Sequence, residues 1–516
     1  MKIFKNYITH KVLVLFSILL IVGIMPSCEK YLDVNEDPDA LYSNPGVYLL
    51  PSIQISIGSI IGGKFALHGS LWCQYYNQSN TANQYRDEID MLIKAEDGDV
   101  MWDELYASAL SDIQMLKAYA NAEETYNPRL NLIAVALESY TFQIIYDAFG
   151  QAPYKEAFEG ESDRSFNPHF QKGEEVYPML VDSINAAIEE YNTYLSKNPG
   201  LSPNLSEAEA DKDFMYIGVM SDWFRFANSV KLKLAMRNFD YDSAWSIGVI
   251  DTLEQIGQYI TSDAMLDIFS SERNKENPLY AQDQNLNTKV NLIANRTLSE
   301  FWAKNNDPRE AITFVKNQSG DHLVDHGDHK ISSSLVPQNS ARKPILSATR
   351  PVYLLTTSEV NFFRAELAVK GHITVDAKTL YDEAVREAFA RVGASSVTAD
   401  TSHLGTNMNY EFSSTADSQM VDIGVQKWAA LANVNPFEAF LEIHRLDYPE
   451  ILQQKDYLPE DSIPSGNAAA KLYLPKNTVL GTDYIKRYLL PESELFSNAN
   501  FPGQTKVTDK LWWDTK

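Results

Sequence analysis

One stretch near the middle of the chain constrains the fold more than any other segment. It runs from Trp223 to Arg237 and reads WFRFANSVKLKLAMR. Apolar residues recur in it at helical spacing and also fill much of the opposite side, so a helix formed here must be buried among other helices. Its polar residues, including Asn228, Lys231 and Arg237, then need partners inside the protein or a route to water.

The same stretch resembles the signature helix of the SusD/RagB family, W-x-x-F-A-N-S-L-x-L-R-L-A-x-R, with Lys233 where the family usually has arginine. Members of that family are surface lipoproteins of Bacteroidetes that bind nutrients, typically glycans, above a TonB-dependent outer-membrane transporter. Further family-like segments occur in the expected order along the chain. They are Cys28–Pro38, Tyr146–Lys155, Asp307–Arg309, Glu359–Gly371, Gln426–Trp428, His444–Pro449 and Arg487–Asn500. The resemblance therefore spans essentially the whole chain after residue 27.

The resemblance implies an all-α dominated fold, in which an irregular scaffold of tetratricopeptide-type helical repeats carries a loop-rich ligand-binding region. Hydrophobic periodicity in the sequence agrees with a helical scaffold. Helices are predicted at Trp102–Ala122, Leu130–Phe149, Phe170–Leu195, Tyr353–Lys370 and Ala377–Val392. The last two, joined through Gly371, are similar to one tetratricopeptide-type unit.

Two other regions are less regular. Apolar residues are dense from Asn44 to about Gln78, and the pair Gly62-Gly63 predicts a break between two helical elements there. The region Asp240–Arg350 is rich in Asn, Asp, Ser and Gly and has few sustained periods, so loops and short elements are expected. We therefore predict a single SusD-like domain over residues 45–516, with a loop-rich insert at about 240–350.

The net charge of the chain limits the classes of molecule that it is expected to bind. The chain of 516 residues has 69 acidic and 44 basic side chains, a formal net charge of −25. A surface this acidic repels phosphate backbones, which excludes nucleic acid as an expected partner. Of the two cysteines, Cys28 lies at a predicted processing site and Cys73 is then left without a partner, so no disulfide framework is expected.

The start of the chain predicts a lipoprotein signal. Lysines precede an apolar stretch, Val12–Met25, that is too short for a comfortable membrane span, and Pro26-Ser27-Cys28 follows it. Residues 1–27 are therefore predicted to be a signal peptide, Cys28 the lipid anchor and residues 28–44 an acidic tether. A signal peptide cut nearby or an uncleaved anchor is the alternative, and either would place the body outside the cytoplasm.

Neither a catalytic motif nor a cofactor motif stands out. The sequence has no evident nucleophile elbow, phosphate-binding loop, HExxH motif or dinucleotide fingerprint. Carboxylate pairs are unavoidable in a chain with 69 acidic residues, so they carry no weight for a glycosidase. We therefore expect neither an enzyme nor a cofactor.

The most metal-like segment is Asp321–Lys330, which reads DHLVDHGDHK. His322, His326 and His329, with Asp325, could supply imidazole and carboxylate ligands to a divalent cation. A glycine within the segment argues against the helix that would align them. A solvated polar loop is therefore the favoured interpretation, and a metal site the weaker one.

The best candidate for ligand binding is the stretch Leu71–Tyr85, LWCQYYNQSNTANQY. Sugars need both apolar rings and neutral amides, because their C–H faces stack on rings while their hydroxyls exchange hydrogen bonds with amides. The candidate residues are Trp72, Gln74, Tyr75, Tyr76, Asn77, Asn80 and Tyr85. In a competing interpretation Trp72 and Tyr76, four apart on a helix, pack inward together and only Tyr75 is exposed.

The resemblance and the residues together predict a non-catalytic nutrient-binding lipoprotein at the outer membrane, anchored through Cys28 and facing the extracellular side. It would capture an oligosaccharide and pass it to a SusC-like TonB-dependent transporter, as the resemblance implies. A second hypothesis keeps this architecture but replaces the glycan with peptide or another polymer. A third, from another class of protein, is a lipid-anchored hydrolase.

Overall fold

The computed structural model describes residues 46–160, 166–286, 290–394, 408–453 and 464–516. Cys28, with the predicted signal peptide and tether, lies outside these residues. Helices dominate what is described, the strands are short, and Gly46–Lys516 forms one compact unit.

The described helices are numbered in chain order. They are α1 (Leu49–Ile60), α2 (Ala66–Trp72), α3 (Arg86–Ile89), α4 (Glu96–Asp103), α5 (Ser111–Asn121), α6 (Pro128–Phe149), α7 (Gly173–Lys197), α8 (Glu207–Ala210), α9 (Met220–Asn238), α10 (Ser243–Ile256), α11 (Pro278–Gln284), α12 (Arg296–Lys304), α13 (Arg309–Thr313), α14 (Thr357–Val369), α15 (Ala377–Arg391), α16 (Ala416–Leu431), α17 (Pro436–Leu446) and α18 (Glu492–Ser497). Two π-helical segments, Ile61–Phe65 and Glu104–Leu110, join α1 to α2 and α4 to α5.

The strands form five two-stranded pairs. They are β1 (Tyr76–Gln78) with β5 (Leu292–Ala294), β2 (Gln151–Pro153) with β3 (Phe170–Lys172), β4 (Ala264–Leu266) with β8 (Val352–Leu355), β6 (Phe314–Val315) with β7 (Lys343–Pro344), and β9 (Glu450–Leu452) with β10 (Lys471–Tyr473). The last pair is parallel and the others are antiparallel. Strands β4 and β5 belong to the insert, and their pairing with β8 and β1 ties the insert to the rest of the chain.

Local sequence explains where several scaffold helices begin and end. Asn127 accepts a backbone hydrogen bond at the start of α6, where Pro128 presets the helical φ. Gly150 ends α6 in the left-handed region at φ 76°. At the start of α14, Thr356 and Glu359 form a reciprocal capping box.

Helices that are close in sequence pack as pairs, and the pairs stack. These pairs are α6 with α7, α9 with α10, α14 with α15, and α16 with α17. Helix α9 lies in the middle, because it also contacts α6, α7 and α14. Its residues Trp223, Phe226 and Val230 are completely buried, as the sequence predicted. Stacked helix pairs of this kind are the tetratricopeptide-type architecture, which confirms the predicted fold class.

Buried ion pairs connect α9 to its neighbours. Arg237 Nη2 lies 2.9 Å from Glu438 Oε1, and Lys233 Nζ lies 2.8 Å from Glu438 Oε2. Arg237 also pairs with Glu442 and with Asp147. Lys233 and Arg237 are four residues apart on α9, as are Glu438 and Glu442 on α17, so each pair shares one helix face. Lys233 and Arg237 on this buried helix therefore have charged partners inside the core.

The same cluster extends to α14 through Arg445. Its Nη2 lies 2.6 Å from Glu366 Oε2 and 2.7 Å from Glu442 Oε2. Burial raises the pKa of Glu366, but Arg445 and Lys370 outweigh that effect and hold it at about 2. Such a carboxylate stays ionised, and breaking a buried pair of this kind costs about 3–5 kcal/mol because it strands the remaining charge.

The structure differs from the sequence prediction at Gly62 and Gly63. These residues do not end a helix; they lie in the π-helical segment that continues α1 into α2. A Cβ atom on Gly62 would lie 2.3 Å from Val352 Cγ2, so the glycine is needed for strand β8 to pack against the helix. The predicted break was therefore wrong, because close packing and not a turn requires these glycines.

The insert is also more regular than predicted. Helix α10 has 14 residues, and Asp242 caps it by accepting a hydrogen bond from the Trp245 N–H at 3.1 Å. Shorter helices, α11 to α13, follow within the same region. The expectation of loops and short elements therefore missed one scaffold helix.

Two helical stretches, Gly46–Trp72 and Pro128–Phe149, are long and apolar enough to cross a membrane by length and composition. The second is buried over its whole length and the first over most of it. Buried helices of a folded domain meet the same criteria, so these are core helices of the scaffold.

Candidate functional site

The aromatic residues predicted to bind ligand lie in the core. Trp72, Tyr75 and Tyr76 are at most 1% exposed. The Tyr75 hydroxyl donates to the Trp428 carbonyl at 2.5 Å, and the Tyr76 hydroxyl donates to Asn433 Oδ1. The prediction of an exposed stacking surface here was therefore wrong. Of the alternative, the burial of Trp72 and Tyr76 is confirmed and the exposure of Tyr75 is wrong.

The polar candidates of the same stretch bond to the chain itself. Gln74 Nε2 donates to the Tyr473 carbonyl at 2.7 Å, and Asn77 Nδ2 donates to the Asp325 carbonyl at 2.7 Å. Partly exposed Asn80 donates to the carbonyl oxygens of Val336 and Ile331, and the Tyr85 hydroxyl donates to that of Gln282 at 2.6 Å. The bonds of Asn77, Asn80 and Tyr85 fasten the insert to the scaffold, and the Gln74 bond joins two segments outside the insert. These polar groups are therefore used within the chain and are not presented as the ligand surface that the sequence predicted.

The histidine-rich segment is packed into the protein. His326 is buried and bonds Asn295, and burial lowers its pKa to about 3, which keeps the imidazole neutral. His329 Nε2 lies 2.9 Å from Asp90 Oδ1, and Asp325 pairs with Arg296 at 3.0 Å. His322 is exposed.

Neither interpretation of this segment fits the structure. Within the described ranges, no three His, Cys, Asp or Glu side chains are grouped as a metal site would require. The segment is not a solvated loop either, because His326 and His329 are at most 2% exposed. The hydrogen bonds of His326 to Asn295 and of His329 to Asp90 are ordinary contacts that hold a loop in place.

The clefts of the described surface differ in volume, and volume decides which of them could hold a ligand. A depression where the insert meets the scaffold, lined in part by Asn277, Arg350 and Asn433, encloses about 20 Å³, which is room for about one water molecule. Two others enclose about 300 Å³ and about 360 Å³. Only volumes of that order accommodate an organic ligand.

The cleft of about 300 Å³ lies between α7, α9 and α10, and we call it the Trp245 cleft. The residues that matter most in its lining are Asp182, Asn185, Lys231, Trp245, Val249 and Thr252. Helix α7 supplies the first two, α9 supplies the lysine at the floor, and α10 supplies the rest. All three helices belong to the rigid scaffold, which favours a preformed site.

The chemistry of this cleft suits a sugar. The half-buried Trp245 side chain presents an indole to the cleft, while Asn185 and Thr252 add neutral hydrogen-bonding groups. Lys231 is 3% exposed, and its Nζ donates to Asn185 Oδ1 at 2.9 Å. Burial lowers the pKa of Lys231 to about 8.

The cleft of about 360 Å³ has a different character, and we call it the His444 cleft. Its lining includes His444, Asp447, Glu450, Asp483 and Lys486. The Tyr484 ring beside them is buried and its hydroxyl donates to the Trp72 carbonyl, so this ring is part of the core. The described lining of this cleft is charged and offers no accessible aromatic ring, so it fits a neutral sugar less well than the Trp245 cleft does.

Sequence reasoning missed the residues of the Trp245 cleft. Lys231 stood out as a polar group on a buried helix, but Asn185 and Trp245 did not. The cap residue Asp242 followed by an apolar pattern was a signal for α10 and would have placed Trp245 on a helix. No local pattern indicates that α7, α9 and α10 converge on one cleft.

Comparison with known proteins identifies the family. A family model described as SusD-like, starch-binding and associating with the outer membrane, matches residues 41–466. The chain belongs to the SusD-like family. Proteins of this family are associated with the outer membrane. No curated protein sequence matches the chain.

Solved structures share the SusD-like fold. A SusD-like protein of Bacteroidetes aligns with a TM-score of 0.71 at 18% identity, covering 91% of this chain and 100% of its own. A SusD homologue of Bacteroides vulgatus gives 0.71 at 18% identity and covers 91% and 97%. A chitin-binding SusD homologue of Flavobacterium johnsoniae gives 0.68 at 17% identity and covers 91% and 97%. At these identities the likeness establishes the fold alone.

Proposed function

We propose that this SusD-like protein is a non-catalytic, cell-surface glycan-binding lipoprotein that captures an oligosaccharide in the Trp245 cleft. The observation that carries the proposal is the cleft itself, where an indole and neutral polar side chains line about 300 Å³ on three packed helices. A sugar ring would stack on Trp245 while its hydroxyls bond to Asn185 and Thr252. Affinity is expected to be modest, because an open cleft orders little of the ligand.

Family membership supports the remaining parts of the proposal. SusD-like proteins are binding proteins associated with the outer membrane, and one of the structural neighbours is described as chitin-binding. We therefore propose that Cys28 carries the lipid anchor, that the body faces outward, and that the glycan passes to a SusC-like TonB-dependent transporter. The acidic residues Glu29, Asp33 and Glu36 that follow the cysteine suit a solvated tether.

Binding to a panel of polysaccharides tests the ligand class. Native affinity electrophoresis with starch, chitin and plant polysaccharides should show retardation on at least one, and isothermal titration with the matching oligosaccharide should give a measurable Kd. Trp245→Ala should weaken that Kd at least about tenfold, which corresponds to about 1.4 kcal/mol. Tyr241→Ala is the matched control, because Tyr241 precedes α10 outside the cleft lining and is 52% exposed.

Three outcomes would contradict the proposal. Unchanged binding by Trp245→Ala would place the site elsewhere. Retention by peptide and by no polysaccharide would favour a peptide-binding protein of the same architecture. Release of reducing ends from a polysaccharide by the purified protein, abolished by a single carboxylate substitution, would identify a hydrolase.

A further inference from the structure

Lys231 differs from other buried cations on the same helix. Lys233 and Arg237 pair with the two oxygens of the Glu438 carboxylate at 2.8 and 2.9 Å. Lys231 is equally buried, yet its hydrogen-bond partner is the neutral Asn185 side chain, and it forms no ion pair with any carboxylate in the part of the chain that the structure describes. A buried ammonium without a counter-charge is unfavourable, because the loss of hydration is not offset.

The environment of Lys231 contains few other charges. Among the lining residues from described parts of α7, α9 and α10, Asp182 and Lys231 are the titratable groups, and those that α10 contributes are uncharged. Asp182 is exposed, and burial is the cause that lowers the pKa of Lys231. The floor of the Trp245 cleft is therefore a positive site that no acidic side chain of α7, α9 or α10 neutralises.

We propose that the ligand of the Trp245 cleft is an acidic glycan, whose carboxylate or sulfate group pairs with Lys231 while its sugar ring stacks on Trp245. This inference rests on the proposed function, because it names the substrate class of the same cleft. An anion would supply the counter-charge that the protein lacks at this position. The ammonium has three N–H donors, of which one is used by Asn185, and the Asn185 amide can donate a second bond to the same anion.

Pairs of ligands that differ only in charge test whether the negative group of the ligand contributes to binding. Titration calorimetry compares an oligogalacturonide with its methyl-esterified form, which has the same rings without the charge, and a sulfated oligosaccharide with its desulfated form. The wild-type protein should bind the acidic member of at least one pair at least tenfold more tightly. The pair that shows this preference identifies carboxylate or sulfate as the recognised group. Equal binding of acidic and neutral members in both pairs would overturn the inference.

Variants at the cleft test the role of Lys231. Lys231→Met should weaken binding of the acidic ligand at least tenfold, so that the ratio of acidic to neutral affinity falls to about one. Asp182→Asn, which removes a charge at the rim, should keep or increase the preference. A preference that persists in Lys231→Met would overturn the inference.

The pH dependence of binding supplies a second readout. Since the Lys231 pKa is about 8, wild-type affinity for the acidic ligand should fall roughly tenfold between pH 7 and 9 as the ammonium loses its proton. Lys231→Arg should remove that fall, because guanidinium stays protonated. Affinity that does not change with pH in the wild-type protein would overturn the inference. If neutral glycans bind through Trp245 and acidic ones bind no more tightly, the proposed acidic substrate class is wrong but the proposed glycan-binding function stands. If no glycan binds, both proposals are wrong.

Discussion

Replacing Lys231 by methionine is expected to stabilise the ligand-free protein. The Lys231 side chain is 3% exposed, and burial lowers its pKa from the ordinary 10.5 to about 8. Each pKa unit corresponds to about 1.4 kcal/mol, so keeping the charge in the folded state costs about 3 kcal/mol at neutral pH. Methionine fills a similar volume with a flexible apolar chain and removes that cost.

The stabilisation should depend on pH in a defined direction. Because the folded pKa of Lys231 lies below the unfolded one, the unfolded chain binds more protons between about pH 8 and 10.5. Wild-type stability therefore gains from this group as pH rises through that window. The advantage of Lys231→Met is expected to be largest below pH 8 and to vanish above pH 10.5.

Differential scanning calorimetry at pH 7 and at pH 10.5 measures the effect. An unfolding entropy of about 2.1 cal/mol/K per residue, over the roughly 470 residues of Gly46–Lys516, converts 3 kcal/mol into a rise in Tm of about 3 °C. Lys233→Met is the control, since it removes a cation from Glu438 on the same helix and should lower Tm. Equal Tm values for wild type and Lys231→Met at pH 7 would refute the reasoning.

Three further substitutions test other parts of the structure. Tyr75→Ala should cost about 3–5 kcal/mol in a denaturant titration, because it empties a buried site and removes the bond to the Trp428 carbonyl; a nearly unchanged midpoint would mean that the ring is exposed. Gly62→Ala should cost about 1–3 kcal/mol by crowding strand β8, whereas Gly200→Ala, with open space around it, should be nearly neutral. Cys28→Ala should move the protein from the membrane to the soluble fraction, and tight association with normal processing would argue against the anchor.

The helical scaffold could be predicted because the hydrophobic pattern and capping residues of a buried helix are visible in its own sequence. Helix α9 has apolar residues on most of its surface, and α6 has both a capping asparagine and a terminal Gly150. These signals are local, so they can be recognised without knowing which other helices pack against α6 and α9. The break expected at Gly62 failed for the opposite reason, since the need for glycine there comes from Val352, far away in sequence.

The site could not be predicted in the same way. Rings and amides suit a sugar, but they suit a polar core equally well, and only distant partners decide between the two. For Tyr75 and Gln74 those partners are Trp428 and Tyr473. The Trp245 cleft could not be predicted because its residues come from three separate helices, and no single stretch of sequence contains the pattern of a binding site.

The long-range bonds of α2 and of Cys73, which follows it, have a consequence for the order in which the chain is completed. His68 on α2 contacts the Tyr488 hydroxyl across 420 residues, and Trp428 Nε1 donates to the Cys73 carbonyl across 355. Synthesis runs from the amino terminus, so these early polar groups obtain their partners only when the last fifth of the polypeptide has been made. A prematurely terminated product would leave these apolar helices uncovered, and rapid proteolysis is its expected fate.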